Sequence, residues 1–482
     1  MRRKGEQMNA ERTFYIDNEN GDDTRTGLSP EAAWKTLERA NRQEFQPGDA
    51  LRLKRGGSWH GTLCPKGSGS RECPITVDAY GETEGEDKEA APVIHGDGAY
   101  AAIYLEGVSF WQVRNIMVTN RSEERGVRQG ICICGKPEGI TQGIVIENCE
   151  IFDVQGENRR NRNVYESMYW NSGIYVTMPG RSSRKNHLHD IIISGNYVHD
   201  VLTSGIRVNQ QEDFINDIHH THVVVRRNRI ERTGSDGIIV ANCISPLIDG
   251  NVCLDAGALG SLEDTRLIAG VWVCAVSDAL IQRNEVGRTR LFENDGTAFD
   301  TDWGTAGTTI FQYNYTHGNK GGFWLDCTGI NRNRECEGTI LRYNISVDDE
   351  RCLIQDDYGI RSELYGNLFL HTGETGPMIC CHQAGMSHLF YRNIFAFRSQ
   401  PALGWQSSAF RENWYGELTD LPEDPGAMSG SPIEADEQIT GQTDSPILRL
   451  AQRLQESEEY RRQVWDQLAK AAGTAADAVT TD

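Results

Sequence analysis

Acidic and aromatic residues crowd together in two short stretches of the sequence. The stretches are 294–304 (NDGTAFDTDWG) and 321–326 (GGFWLD). Together they hold four carboxylates and two tryptophans: Asp295, Asp300, Asp302, Asp326, Trp303 and Trp324. Three of the carboxylates alternate with apolar residues, as side chains on one face of a strand do. Carboxylates at alternate positions of a strand do not stabilise the fold, so these stretches are the candidate active site.

Paired carboxylates of this kind can cleave a glycosidic bond. Neighbouring strands lie about 4.8 Å apart, close to the ~5–5.5 Å between the two acids of a retaining glycosidase. Carboxylates this close cannot all be ionised, so one of them can serve as general acid. We expect Asp302 to be nucleophile or base and Asp326 the acid/base, with Asp300 as the alternative partner. A larger offset would suit an inverting enzyme, so the stereochemistry stays open.

Strand alternation also predicts which neighbouring side chains face outward. We expect Trp272, Asp300 and Asp302 on the outer face, Phe299 and Thr301 inside, and Trp324 and Asp326 outside again in the next coil. Tryptophan faces can bind sugar rings. The candidate substrate-binding residues are Trp272, Trp303, Trp324, Arg207, Asp236, Trp170, Glu166 and His317. The competing interpretation is a Ca²⁺ site or a solvated acidic face, with Asp236 and His317 as turn residues.

A repeat positions these residues. From about residue 75, short runs rich in Val and Ile end in Asn, as at 144–148, 192–196, 223–228 and 310–314. A second strand follows Gly in between, as at 173–176, 205–208, 237–240 and 270–273. Two or three short strands per repeat predict a parallel β-helix, in which Asn side chains form a ladder between coils. An insertion at about 153–172 is expected to help build the binding cleft.

The remaining segments have other patterns. Residues 1–12 are polar and predicted to be disordered, and Ser29-Pro30 is a helix start within an N-terminal cap spanning 13–75. We expect the β-helix domain to span 13–415. The segment 416–482 is a C-terminal tail whose helix, 445–472, packs on the coils or forms a dimer contact, so a homo-oligomer stays open.

Composition narrows the function classes. The chain has 48 Lys and Arg against 69 Asp and Glu, a net charge of -21, which argues against a nucleic-acid partner. No apolar run reaches the roughly 20 residues that span a bilayer, so no membrane partner is expected. The 13 cysteines lie mostly in apolar runs without paired C-x-x-C motifs, which indicates reduced thiols and no zinc site. We therefore predict a cytoplasmic protein.

The opening segments 15–36, 46–49, 54–59 and 74–81 resemble the start of right-handed parallel β-helix proteins of the pectate-lyase-like superfamily. The stretch Asp295–Asp302, with 312–317 and 321–325, resembles β-helix glycoside hydrolases, including the family 120-type β-xylosidases and related members. The resemblance implies an all-β right-handed parallel β-helix, and catalytic positions that Asp302 and Asp326 match.

We therefore predict a glycoside hydrolase that acts on short oligosaccharides and needs no cofactor. The first alternative is a Ca²⁺-dependent lyase acting on uronates, for which the acidic stretch would hold the ion. The second is a non-catalytic carbohydrate-binding β-helix, which would explain the tryptophans but not the packed carboxylates. The sugar, its linkage and exo or endo action stay open.

Overall fold

The computed structural model describes residues 11–82, 90–124, 126–157, 170–213, 215–260, 267–328, 336–356, 360, 362–382, 388–402, 408–416 and 418–429. The chain divides into two compact units. Unit 1 comprises Met1–Leu247 with Gly257–Arg266, and unit 2 comprises Ile248–Ala256 with Leu267–Asp482. The predicted disorder at 1–12, apart from residues 11 and 12, and the predicted helix 445–472 lie outside the described residues.

Unit 1 is built from three parallel sheets, each formed by one strand from successive coils. Sheet 1 contains Thr13–Ile16, Ala50–Lys54, Ile75–Tyr80, Trp111–Arg114, Ile140–Glu147, His187–Ser194 and His220–Arg226, with Cys243–Ile244 beside the last. Sheet 2 contains Ser58–His60, Val93–His95, Met117–Asn120, Glu150–Val154, Tyr197–Val201 and Arg229–Thr233. Sheet 3 contains Ala101–Glu106, Gln129–Cys134, Ser172–Met178, Ser204–Gln210 and Ile238–Ala241.

Unit 2 has the same three-sheet construction. Its sheet 1 contains Leu247–Asp249, Leu280–Gln282, Gly307–Gln312, Cys336–Arg342, Glu363–Tyr365, Leu389–Tyr391 and Ala409–Arg411. Its sheet 2 contains Val252–Leu254, Glu285–Gly287, Tyr315–His317, Ile345–Val347, Leu368–His371 and Ile394–Phe397. Its sheet 3 contains Ala269–Cys274, Thr297–Thr301, Gly322–Asp326, Cys352–Asp356 and Met378–His382. The predicted all-β parallel β-helix fold is confirmed.

Helical structure among the described residues is confined to the N-terminal cap. Ser29 caps a short 3-10 helix, Pro30–Ala32, by accepting the Ala32 amide at 3.3 Å, as the Ser-Pro pair predicts. Thr36 caps the α-helix Leu37–Asn41 in the same way. No helix within the described ranges has the length and apolar character needed to cross a bilayer.

In-register aliphatic side chains form the interior of unit 1. On sheet 3 the buried isoleucines stack from coil to coil: Ile103, Ile131, Ile174, Ile206 and Ile238. Since paired residues of parallel strands point the same way, the residues between them face outward. This alternation places Ile206 and Val208 inward and turns Arg207 away from the interior row.

A ladder of asparagines joins the coils of unit 2. Each member donates its side-chain Nδ2 to the Oδ1 of the next at 2.9–3.0 Å, and its backbone N–H bonds the same oxygen. The members are Asn251, Asn284, Asn314, Asn344, Asn367, Asn393 and Asn413, all buried. Unit 1 has the same pairing between Asn196 and Asn228. The predicted Asn ladder is therefore present in each unit.

Two of the asparagines that define the repeat in the sequence take a different position. In the coil containing Asn148, it is the amide of Cys149 that donates to Asn196 Oδ1. Asn148 itself sits one residue earlier, at a corner with φ of 53°, and Asn115 has a φ of 58°. Asparagine tolerates this left-handed conformation better than most residues, so the same residue type suits both positions.

We expect Asn314→Ala to lower the free energy of unfolding by about 3 kcal/mol, because it leaves buried amide donors without an acceptor. Asn314 Oδ1 accepts from the backbone and side chain of Asn284, and its Nδ2 donates to Asn344 Oδ1 and the Ile281 carbonyl. Chemical denaturation would measure the loss. Asn148→Gly, at an exposed corner that favours glycine, is the control and should be neutral or slightly stabilising. Equal losses in the two variants would contradict the role of the ladder.

Candidate active site

The strand Thr297–Thr301 places Asp300 on the outer face of unit 2. Phe299 packs against Phe311 of sheet 1, with ring centroids 5.1 Å apart, so Phe299 points inward. Because side chains alternate along a strand, Asp300 points outward. It lies in register with Trp272 on the preceding strand. Asp300 is 8% exposed and Trp272 is 5% exposed, so both side chains are largely buried; we name this part of the outer face, with Asp302 and Trp303, the recess.

Asp302 and Trp303 follow the strand directly. The Asp302 amide donates to the Val273 carbonyl at 2.8 Å, so the ladder extends past Thr301. Both side chains are partly exposed. The rise of about 3.3 Å per residue puts the Asp300 and Asp302 backbones about 6–7 Å apart on one side. Asp300, Asp302 and Trp303 therefore come from one coil and Trp272 from the preceding coil, whereas the sequence predicts a carboxyl pair on adjacent coils.

Asp326 and Trp324 face the other way, so the prediction that they point outward is wrong. Trp324 is in register with Phe299, and Asp326 with Thr301. Both Trp324 and Asp326 are fully buried on the inner side of sheet 3. The reason is the register, which pairs Trp324 and Asp326 with the inward positions Phe299 and Thr301 and leaves Leu325 beside Asp300.

The Asp326 carboxyl belongs to a polar group inside the coils. Its Oδ1 accepts the amide of Thr328 at 3.1 Å and also the Thr328 hydroxyl. Asp356 is in register with Asp326, and its Oδ2 lies 3.4 Å from Nε2 of the buried His388. Burial, reinforced by the charge of Asp356, raises the pKa of Asp326 to about 6.

Trp324 is held within the same interior group. Its Nε1 donates to Thr301 Oγ1 at 3.0 Å, and its ring packs edge-on to His388 at 5.9 Å. Since none of its surface is exposed, the ring has no face to offer a sugar. Its predicted substrate-binding role is therefore wrong, and the burial of Asp326 removes that residue from the outer recess as well.

His317 lies on another sheet. It ends the strand Tyr315–His317 of sheet 2, where its Nε2 is 3.1 Å from Glu285 Oε1. Its ring stacks on Tyr315 with centroids 4.9 Å apart. The competing interpretation of His317 as a residue of a strand end and turn, rather than a substrate contact, agrees with this placement.

Asp295 occupies the turn position that the sequence indicates. Its amide and carbonyl pair with those of Phe292 at 3.0 and 2.9 Å, closing a tight turn before the strand. Its side chain is partly exposed. Across the described ranges, no three His, Cys, Asp or Glu side chains converge as a metal ion requires.

The other predicted contacts belong to unit 1. Arg207 donates to Ser204 Oγ at 3.0 Å and forms an ion pair with Asp236 at 3.8 Å, both residues being 1% exposed. Trp170 packs against the buried Tyr175. Glu166 lies outside the described residues. Arg207 and Asp236 thus form a buried ion pair, whereas the sequence predicted side chains that a substrate could contact.

The sequence reasoning missed an aromatic row on the outer face of sheet 3 in unit 1. Tyr104, Cys132, Tyr175 and Arg207 are in register on successive strands. The signal was present in the alternation, since Tyr175 is the residue between the inward Ile174 and Val176 in the Gly-Ile-Tyr-Val segment. Tyr175 is fully buried, so its ring, like that of Trp324, has no exposed face for a sugar.

We expect Asp326→Asn to flatten the pH dependence of stability. A carboxyl whose pKa rises from 3.8 to about 6 on folding stabilises the fold fully below about pH 4, and this stabilisation is lost as pH rises through 6. The change amounts to about 3 kcal/mol. Denaturation at pH 4 to 8 should show the variant gaining relative to the parent as pH rises. Asp420→Asn, at an exposed carboxyl, is the control, and parallel curves for Asp326→Asn and the parent would contradict the interior placement.

No protein-family model matches the chain. The lacto-N-biosidase of Bifidobacterium longum subsp. longum is 24% identical over 568 aligned positions, which cover 96% of this chain and 34% of that protein. The chain thus spans about a third of that relative's length. Two crystal structures of the GH136 lacto-N-biosidase from Eubacterium ramulus superpose with TM-scores of 0.67 and 0.65 at 23% and 22% identity. They cover 80% of this chain and 67% and 68% of theirs.

The two crystal structures show the fold that the chain shares with them. The Bifidobacterium longum protein is similar in sequence to nearly the whole length of this chain. Both kinds of relative are glycosidases by name. The chain is therefore similar in sequence and fold to lacto-N-biosidases, and its predicted resemblance to β-helix glycoside hydrolases is confirmed.

Proposed function

We propose that this chain is a glycoside hydrolase that cleaves lacto-N-biosides, the substrate class in the name of its relatives. The observation that carries the proposal is the recess in unit 2, where Asp300 and Asp302 lie beside Trp272 and Trp303. The similarity to lacto-N-biosidases over 96% of the chain supports the substrate class. Carboxyl pairs flanked by aromatic rings suit the cleavage of a sugar acetal.

The two carboxyl groups take different roles because their surroundings differ. Asp300 is the more buried of the two. We assign Asp300 as the general acid that protonates the leaving oxygen. Asp302, which is partly exposed and so open to water, acts as the nucleophile or as the base that activates water. This assignment replaces Asp326, the predicted acid/base, with Asp300, its predicted alternative.

The indoles supply binding surface for the sugar rings. Trp272 stands next to Asp300, one strand spacing away, and Trp303 follows Asp302 directly. The Trp303 Nε1–H has no acceptor within the part of the chain that the structure describes. A buried indole N–H normally has a partner, so a sugar hydroxyl would complete its hydrogen bonding.

The cellular compartment of the protein is also a proposal. The cysteines whose side chains the structure describes form no disulfide, two examples being the buried Cys132 and Cys149. Buried thiols outside disulfides suit a reducing compartment. We therefore keep the cytoplasm as the proposed site of action and short oligosaccharides as the proposed substrate.

The proposal is tested with p-nitrophenyl lacto-N-bioside and single variants of the full chain. We expect Asp302→Asn and Asp300→Asn each to lower kcat/KM by at least about a thousandfold, because each removes a group needed in the transition state. Asp326→Asn should keep kcat/KM within a few fold, since its carboxyl faces the interior. Release of p-nitrophenol measures all three variants.

The other possible outcomes separate the competing assignments. Full activity in Asp300→Asn and Asp302→Asn, with loss of activity in Asp326→Asn, would show that Asp326 is catalytic and that the two recess carboxyl groups are not. Loss in Asp295→Asn alone would move the pair toward the turn before the strand. Absorbance growth near 235 nm on uronates in place of p-nitrophenol release would replace the hydrolase by the lyase.

A further inference from the structure

Tyrosines lie in and beside sheet 1 of unit 2, with Tyr365 and Tyr391 at the ends of strands and Tyr313 and Tyr343 at the corners just after strands. The tyrosine row consists of Tyr313, Tyr343, Tyr365 and Tyr391. Tyr313 stacks on Tyr343 at 5.5 Å, Tyr343 meets Tyr365 edge-on at 5.6 Å, and Tyr365 stacks on Tyr391 at 4.7 Å. The rings are held in place by each other and by Arg342, whose Nη1 donates to the Tyr365 hydroxyl at 2.9 Å. The row is thus a rigid aromatic surface on a sheet other than the one that carries Asp300.

A cavity of about 250 Å³ opens at the end of the tyrosine row. Its lining residues are Glu363, Leu389, Tyr391, Arg392, Arg411 and Glu412. Their placement follows from the register, which aligns Glu363 with Leu389 and Tyr391 with Arg411 on adjacent strands. The cavity is smaller than the ~300–1,000 Å³ of pockets for drug-sized ligands, so it suits one or two sugar rings.

Hydrogen bonds between the side chains that line the cavity fix the orientation of its polar groups. Glu412 accepts from Arg392 Nε at 2.8 Å and from Arg411 Nε at 3.0 Å, so one carboxylate holds both guanidinium groups. The Tyr391 hydroxyl donates to Glu363 at 3.3 Å. Most of the surface of both arginine side chains is still exposed, which leaves their remaining N–H groups able to donate to a ligand.

The balance of charge in the cavity indicates an uncharged ligand. Two glutamates offset two arginines, so an anion such as a uronate gains no net attraction. The same groups offer several donors and acceptors to vicinal hydroxyls, while Tyr391 and Leu389 offer an apolar patch. A sugar ring presents this combination, with hydroxyls at its rim and C–H groups on its face.

We propose that this cavity is a second, non-catalytic saccharide-binding site that takes a neutral sugar unit of an oligosaccharide. It holds the ligand by stacking on Tyr391 and by hydrogen bonds to Arg392, Arg411 and Glu363. The site is independent of the carboxyl pair in the recess, because it lies on sheet 1 of unit 2, whereas Asp300 lies on sheet 3. Its occupation does not require that the chain hydrolyse anything.

The test uses full-length protein labelled with 3-fluorotyrosine, in which the Tyr391 resonance is assigned by its loss in Tyr391→Phe. Lacto-N-biose is titrated in, with galacturonic acid as the charged comparison. We expect a saturable shift of the Tyr391 resonance by lacto-N-biose with half-saturation in the millimolar range, and little shift by galacturonic acid. Arg411→Ala should raise the half-saturating concentration about five- to tenfold.

Arg398→Ala is the matched control, since it removes an exposed arginine of unit 2 that does not line the cavity. It should leave the titration unchanged. A Tyr391 resonance that lacto-N-biose does not move would overturn the proposal, as would equal weakening by the two arginine variants or a response to galacturonic acid alone. Hydrolysis of p-nitrophenyl lacto-N-bioside is measured on the same samples, so a missing activity and a missing site are seen separately.

Discussion

The hydrogen bond between one asparagine side chain and the next is the interaction on which the coil register of unit 2 depends. Each Oδ1 accepts two donors from the preceding coil, so a shift of one residue would leave several buried polar groups unpaired. With Asn284, Asn314 and Asn344 aligned, the strands of all three sheets pair at fixed positions. The recess and the tyrosine row both exist because that alignment stacks side chains from separate coils.

The fold could be predicted because the two residue types that its coils need, glycine and asparagine, recur at regular positions in the sequence. Glycines before the third-sheet strands and asparagines at the corners recur with the coils, and each has a stereochemical reason. The offset at Asn115 and Asn148 could not be read in the same way. An asparagine suits both the ladder and the left-handed corner before it, so only the hydrogen bond of Cys149 to Asn196 separates the two positions.

The candidate site was predictable in part for a related reason. Alternation correctly placed Asp300 beside Trp272 and turned Phe299 inward, because those strands follow ordinary pleating. It failed at Asp326, since alternation defines two faces of a strand without saying which is inside. An aspartate inside the coils contradicts the usual rule that carboxylates stay in water, and hydrogen bonds from Thr328 make it tolerable.

The corners that precede the ladder carry a further consequence for the engineering of this chain. Glycine fills this position at Gly195, Gly250 and Gly366, whereas Arg227 and Arg283 adopt the same left-handed backbone with φ of 54° and 55°. A side chain there strains the backbone by about 1 kcal/mol relative to glycine. Thermostable versions could therefore be sought by placing glycine at Arg227, whereas Arg283 also donates two hydrogen bonds of 2.6 Å to Asp249 and Arg392 lines the cavity.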